Sequence, residues 1–280
     1  MALTWCYEQE LPSDLHALPP LYTTLRHWAN AAGLDESESY RLAVVVSEAV
    51  TNAITHAHGN APGKTVRFAL GVEGTFLIAE IGDRGRWGWI PPDPPDADHW
   101  EQTHGRGIQL IRSLAHRAEF LPRPGGGTLV RVAFQSHHVK SLQNTIMIET
   151  KKSGQGDEQM ETRTESYDNV DVLRIAGRID LVTSNTLKDT IREHLHRQRN
   201  NLVLNLEQVD FINSSGLGSL VSILKDVRVA NGNLVLSNLA PYVQEIFDIT
   251  QLSNVFESFA SEQEAVDVLS RQTNSVAVNP

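Results

Sequence analysis

Between His138 and Met160 the chain turns polar and mixed in charge, HVKSLQNTIMIETKKSGQGDEQM, with Gly154 and Gly156 near its centre. Such a stretch reads as a linker between folded units, since few contacts can cross it. It constrains the fold more than any other feature, because it divides the chain into residues 1–137 and residues 161–280 with 138–160 as the connection. A chain of 280 residues leaves each part large enough to bury its own core. The 40% hydrophobic and 21% charged content fits soluble globular domains. No apolar run approaches membrane-spanning length, and the start MALTWCYEQELP lacks the basic-then-apolar layout of a signal peptide. Cys6 alone excludes an intrachain disulfide framework and fits a reducing compartment, so a cytoplasmic protein without a membrane is expected. The net charge of -10 is spread over both parts without a basic stripe, which argues against direct nucleic-acid binding.

In the first part, Pro19 and Pro20 precede a helical pattern through Leu25 and Trp28 that stops at Gly33. Arg41 to Gly59, RLAVVVSEAVTNAITHAHG, then reads as one amphipathic helix, with Leu42, Val46, Ala49, Val50, Ala53 and Ala57 at helical spacing. Glu48 and Asn52, with Thr55 or His56, fall on its other side. A carboxylate and a carboxamide four residues apart stand one above the other. Both oxygens can be aimed at one small hard target, such as magnesium with nucleotide phosphates. A solvated helix face would carry the same residues. His56 and His58 lack the further ligands of a metal site and read as polar helix-end residues.

Two strand-like runs follow, Lys64 to Val72 and Thr75 to Ile81, with Glu73-Gly74 as the turn. The pattern then breaks into GDRGRWGWIPPDPPDADHWEQTHGRG, and a loop of this length inside a compact domain is usually functional or mobile. Gly107 to Leu114 reads as a helix, and Leu129 to Phe134 as a last strand after Gly125-Gly126-Gly127. Asp83, with Gly85 two residues on, offers an acceptor carboxylate where the backbone can approach a ligand closely. Gly105-Arg106-Gly107 opens a helix, where N–H groups and the helix dipole favour a phosphate. A plain turn and a flexible helix start would look the same. The Walker pattern and the dinucleotide fingerprint are both absent.

Taken in order, these pieces resemble the N, G1 and G2 boxes of the Bergerat ATP-binding fold shared by histidine kinases and gyrase-type ATPases. SEAVTNAITHAHG and GRGIQLIRSLA are most similar to the anti-sigma factor serine kinases, and the resemblance covers nearly all of residues 10–135. It implies an α/β sandwich, a mixed sheet covered by helices, that binds ATP and Mg2+. Glu48 would be the general base for an acceptor serine, and Asn52 would hold Mg2+ through its side-chain oxygen. Asp83, beside Gly85, would bind the adenine amino group, with Thr128 supporting the adenine site from the last strand. Gly105, Arg106 and Gly107 would form the phosphate-facing lid. Trp87 stands where the G1 box often has its second glycine.

The second part begins with a strand, Val170 to Ala176, followed by Gly177-Arg178-Ile179-Asp180. A helix with Leu187, Ile191 and Leu195 on its apolar side comes next, and then a buried-looking strand, Asn201 to Leu206. Ser214 and Ser215 stand at the start of a helix through Leu220, Val221 and Leu224. A strand, Asn233 to Ser237, and helices near Tyr242 to Ile249 and Glu262 to Ser270 complete an α/β pattern.

GRIDLVTSNTL and NLVLNLEQVDFINSSGLGSLVSILK resemble the STAS domain of anti-anti-sigma factors, over about residues 161–272. The resemblance implies that Ser214 is a phosphoacceptor with Asp180 close to it. Asn213 stands where the family usually has Asp. The two resemblances together imply a partner-switching regulator of sigma factor activity, in which a serine kinase domain is joined to the kind of domain such kinases phosphorylate. Its partners would be STAS-domain or sigma-factor-type proteins. Transfer within one chain, between two chains of a homodimer, or to a separate protein all stay open. The alternative from another class is a nucleotide-gated binding or scaffold protein that transfers no phosphate.

Overall fold

The computed structural model describes residues 3–85, 106–135 and 160–276, which fall into two compact α/β units. Trp87, Gly105 and most of the expected loop from Arg84 to His104 lie outside the described residues, as does most of the linker.

In the first unit, β1 (Thr4–Pro12) leads into α1 (Leu18–Ala31), whose first turn contains Pro19 and Pro20 rather than following them. Proline is tolerated there because those N–H groups have no partner inside the helix. Next, α2 (Glu36–Asn52) starts five residues earlier than the apolar spacing indicates. Asp35 caps it by accepting the Glu38 N–H at 2.8 Å, so the polar turn ESES is helical because of its cap rather than a buried stripe. Val44, Val45, Val46, Ala49 and Val50 are fully buried, each valine contributing ~1.5–3 kcal/mol of burial. After Asn52 the winding loosens to a π turn (Ala53–Ala57), with the His58 N–H bonded to the Ala53 carbonyl at 3.0 Å.

Antiparallel strands β2 (Thr65–Glu73) and β3 (Phe76–Gly82), helix α3 (Arg106–Leu114), and strands β4 (Arg117–Pro122) and β5 (Thr128–Gln135) complete the unit. The sheet runs β1-β2-β3-β5-β4 and, among the described residues, is antiparallel throughout rather than mixed as the resemblance implies. A ladder of charges crosses all five strands in that order: Glu8, Arg67, Glu80, Arg131 and Glu119. Glu80 is buried yet satisfied on both oxygens, by Arg67 at 3.1 Å and Arg131 at 2.6 Å. A buried carboxylate is tolerated when paired in this way.

The second unit has strands β6 (Glu161–Tyr167), β7 (Val170–Ile179), β8 (Asn201–Ile212), β9 (Asn233–Ser237) and β10 (Ser258–Phe259). Its helices are α4 (Ser184–His196), α5 (Ser214–Val229), α6 (Pro241–Ile249) and α7 (Glu262–Val276). The order is β10-β9-β8-β7-β6, with β7 to β10 parallel and β6 an antiparallel edge. On one face Val170, Val172, Val203 and Val235 meet Ala265, Val266 and Leu269 of α7. On the other, Asp171 anchors α4: His194 Nδ1 lies 2.8 Å from its Oδ2, and Arg199 Nε donates to its Oδ1 at 3.0 Å.

Candidate functional site

Three glycines bring the separated motifs of the first unit together. A β-carbon on Gly107 would stand 2.3 Å from Glu48 Oε2 and 3.5 Å from Asn52 Nδ2, so the first turn of α3 lies directly against that pair. A β-carbon on Gly85 would stand 2.0 Å from the Ala57 carbonyl oxygen, which seats the segment after β3 on the end of the π turn. Gly127, at φ +92°, would place one 2.1 Å from the Asp83 carbonyl oxygen. Only glycine combines that dihedral with that approach. Beside it the Asp83 N–H donates to the Thr128 carbonyl at 3.0 Å, joining β3 to the start of β5.

The side chains follow from this framework. Glu48 is 1% exposed, so it belongs to the interior and not to a solvated helix face. Asn52 is half-buried at the end of α2. The π turn starts at the next residue, and single π turns inside helices are frequent at functional sites. Asp83 is buried, and its Oδ1 accepts the Gly85 N–H at 2.7 Å, which fixes the carboxylate while leaving Oδ2 for another donor. Thr128 is buried beside it. Arg106 is buried at the start of α3, and burial lowers its guanidinium pKa.

Sequence spacing gave no sign of one further pair. His58 is buried and its Nδ1 lies 2.9 Å from Ser13 Oγ, across 45 positions of chain. Burial pushes the His58 pKa down, while the Asp83 carboxylate pulls it up and Lys64 lowers it further. Burial outweighs the pull of the Asp83 carboxylate, so the ring is held through Ser13 rather than drawn into an ion pair with Asp83.

In the second unit the expected acceptor serine stands at the first position of α5. The cap is not a serine but Asn213, whose Oδ1 accepts the Gly216 N–H at 3.1 Å. Asparagine before an apolar helix is a strong cap signal. A β-carbon on Gly216 would stand 2.1 Å from the Ile179 carbonyl oxygen, so the first turn of α5 is set against the end of β7, next to Asp180. Asp180 is buried, and its Oδ1 accepts the Val182 N–H at 2.9 Å and the Thr183 N–H at 3.2 Å. Arg178 Nε lies 3.7 Å from Asp180 Oδ2, with the guanidinium stacked 4.2 Å from the Phe211 ring centroid.

The first unit thus sets a carboxylate-carboxamide pair against a glycine at a helix start, with a buried aspartate at a strand end. Residues 11–134 match the histidine kinase-like ATPase domain, and residues 161–265 match the STAS domain. The chain is 30% identical over 98 residues to the anti-sigma-B factor antagonist of Listeria monocytogenes, spanning 35% of this chain and 85% of that protein. It is 33% identical over 106 residues to the anti-sigma F factor of Pasteuria penetrans, spanning 35% of this chain and 65% of that protein. A crystal structure of an anti-sigma factor antagonist from Mycobacterium paratuberculosis aligns at 23% identity and a TM-score of 0.38, covering 41% of this chain and 97% of that one. The chain thus belongs to the STAS-domain family of anti-sigma factor antagonists, with a histidine kinase-like ATPase domain joined in front.

Proposed function

We propose that the protein is a partner-switching regulator whose first domain, residues 1–137, binds ATP and Mg2+ and phosphorylates Ser214 in its own or a partner's STAS domain, residues 161–280. The observation that carries this reading is the seating of Glu48 and Asn52 against Gly107, at a place where a side chain would leave no room. Asp83 fits an adenine amino group, because Gly85 already satisfies one carboxylate oxygen and the other is an acceptor. Asn52 would contribute an oxygen to Mg2+ and Arg106 and Gly107 would face the phosphates, with Gly105 belonging to the same lid. Bound ATP would supply its terminal phosphoryl group and leave as ADP, with Mg2+ offsetting the negative charge of the phosphates. Glu48 accepts the proton of the incoming serine hydroxyl as that oxygen attacks. Ser214 is the acceptor, and Asp180 shapes the face on which its charge changes. A phosphate there adds roughly -1.5 to -2 charge, enough to decide which sigma-pathway protein the STAS surface holds.

Burial of Glu48 under Gly107 favours a second reading, a nucleotide-gated binding protein that keeps the pocket and transfers nothing. Incubation of the purified chain with labelled ATP and Mg2+, followed by mapping of the label, separates the two. Label on Ser214 that is lost in Ser214→Ala supports the kinase, whereas nucleotide binding without label supports the second reading. Mixing Glu48→Gln chains with Ser214→Ala chains then tells transfer between chains from transfer within one.

A further inference from the structure

The carboxamide of Asn213 is divided between two roles, only one of which is filled. Its Oδ1 caps α5 through the Gly216 N–H at 3.1 Å. Its Nδ2 is buried and has no hydrogen-bond partner among the described residues, and the side chain as a whole is 0% exposed. Buried amide donors are nearly always satisfied, so one without an acceptor points to an acceptor that arrives later. The group is planar and cannot turn without giving up the cap, which holds Nδ2 beside the first turn of the helix.

That turn is itself built for an anion. Asn213 takes the Gly216 N–H on its Oδ1 and the Leu217 N–H on its carbonyl at 2.9 Å, and the positive end of the dipole of a 16-residue helix lies there. Ser214 occupies the first helical position, one residue from the amide. Gly216 is held against the Ile179 carbonyl, so the turn cannot recede from the sheet edge. The charged groups at the end of β7 are Asp180 and Arg178, in contact with each other at 3.7 Å, so the carboxylate does not face the turn without a nearby cation.

We infer that the start of α5 is a receptor for a phosphomonoester carried on Ser214 Oγ, with Asn213 Nδ2 as a dedicated donor to it. The inference rests on Ser214 being the phosphoacceptor. Asn213 is then a positioning residue of the phosphorylated state, neutral and donating where an aspartate would repel the dianion. Asn213→Asp keeps the shape and the cap but exchanges that donor for a charge.

The test uses the full chain with phosphoserine installed at position 214 during translation, so that no kinase activity is needed. The phosphorus resonance is followed from about pH 4 to pH 8, across the second ionisation of a phosphoserine near 6. The native chain is expected to ionise below about 6, and Asn213→Asp about one unit higher than the native chain. Asn213→Ser keeps a capping oxygen, removes the amide, and is expected to raise the midpoint by a smaller amount, about 0.3 unit or more. Equal midpoints in the three chains would overturn the inference. A rise in Asn213→Asp with none in Asn213→Ser would overturn the donor role as well, since charge repulsion alone would explain it. A chain that takes no label from ATP at Ser214 but shows both expected shifts would count against the kinase reading and leave the receptor standing.

Discussion

Replacing Gly107 by alanine perturbs the proposed base without touching it chemically. The new β-carbon would stand 2.3 Å from Glu48 Oε2 and 3.3 Å from its Cδ, where ordinary contact begins at 3.4 Å. The carboxylate must therefore withdraw by about 1 Å, and at 1% exposure it has no solvent to withdraw into. The backbone of α2 cannot absorb the shift, because Val45 and Ala49 beside Glu48 are fully buried. A misplacement of this size at a reacting group costs ~10²-fold in rate. Stability is expected to fall by up to ~2.5 kcal/mol, since alanine gains ~0.5–1 kcal/mol over glycine within a helix against a strain of ~1–3 kcal/mol. The assay measures initial rates of phosphate transfer from ATP and Mg2+, with nucleotide affinity by calorimetry and a thermal melt as controls. The expected result is a loss of ~10²-fold in rate with affinity within about 5-fold, next to a loss of ~10²–10⁴-fold for Glu48→Gln. A Gly107→Ala chain that transfers at the native rate would refute the contact geometry. A Glu48→Gln chain that does so would remove the base assignment.

Three further outcomes follow from the same contacts. Asp83→Asn presents a donor to the adenine amino group and should weaken ATP binding by ~1–3 kcal/mol, about 5- to 150-fold; equal calorimetric affinities would sink the assignment. Gly216→Ala drives a β-carbon to 2.1 Å from a backbone oxygen and should destabilise the STAS unit by ~1–3 kcal/mol in urea titrations, and a change below about 0.5 kcal/mol would contradict it. Burial pushes the Asp171 carboxyl up, but hydrogen bonds from Arg199, Ser166 and His194 outweigh this and hold it at about 2, below its ordinary 3.8. Its folded value is depressed, so it contributes about 2 kcal/mol above pH 3.8 that is lost as the pH falls toward 2, and Asp171→Asn should flatten the acid-stability curve in that window.

What the sequence hid lies at the sheet edges. β1 and β4 are the outer strands of the first sheet, and β6 and β10 those of the second. In TWCYEQELP only Leu11 is buried, and RAEFLP and ETRTESY have no buried residue at all. Such segments show no apolar alternation, and their strand identity comes from a neighbour's hydrogen bonds. The inner strands β2, β3 and β5 were legible to within one residue at either end, because burial on both sides left apolar runs in their sequences. The same reasoning explains why β7 continues past its apparent end at Ala176. Gly177, at φ +87°, lies at an irregularity in the pairing and the strand goes on to Ile179. β8 likewise continues past Leu206, because the exposed Glu207, Gln208 and Asp210 alternate with the buried Val209 and Phe211.

At the sites, residue order was legible and burial was not. Glu48 and Asn52 were distinguishable from the apolar stripe by helical spacing alone, but spacing cannot say whether a polar face meets water or another element. Here α3 meets it, from more than fifty positions further along the chain, and Gly107 is the residue whose missing side chain permits the approach. The glycines at 85, 107 and 127 were visible as permissive positions, whereas Gly216 stood in the sequence only as the residue after two serines. Their common use becomes apparent only in three dimensions, where each marks the place at which one backbone presses on another's oxygen or on a buried carboxylate. Three of these four contacts are made with backbone carbonyls, at Ala57, Asp83 and Ile179, which cannot move aside as a side chain can. The fourth is made with the Glu48 carboxylate, the end of a side chain. The rigid contacts therefore fix the chain at Asp83 and at the end of β7, whereas the one at Gly107 falls on a side-chain carboxylate that only its own burial, at 1% exposure, holds in place.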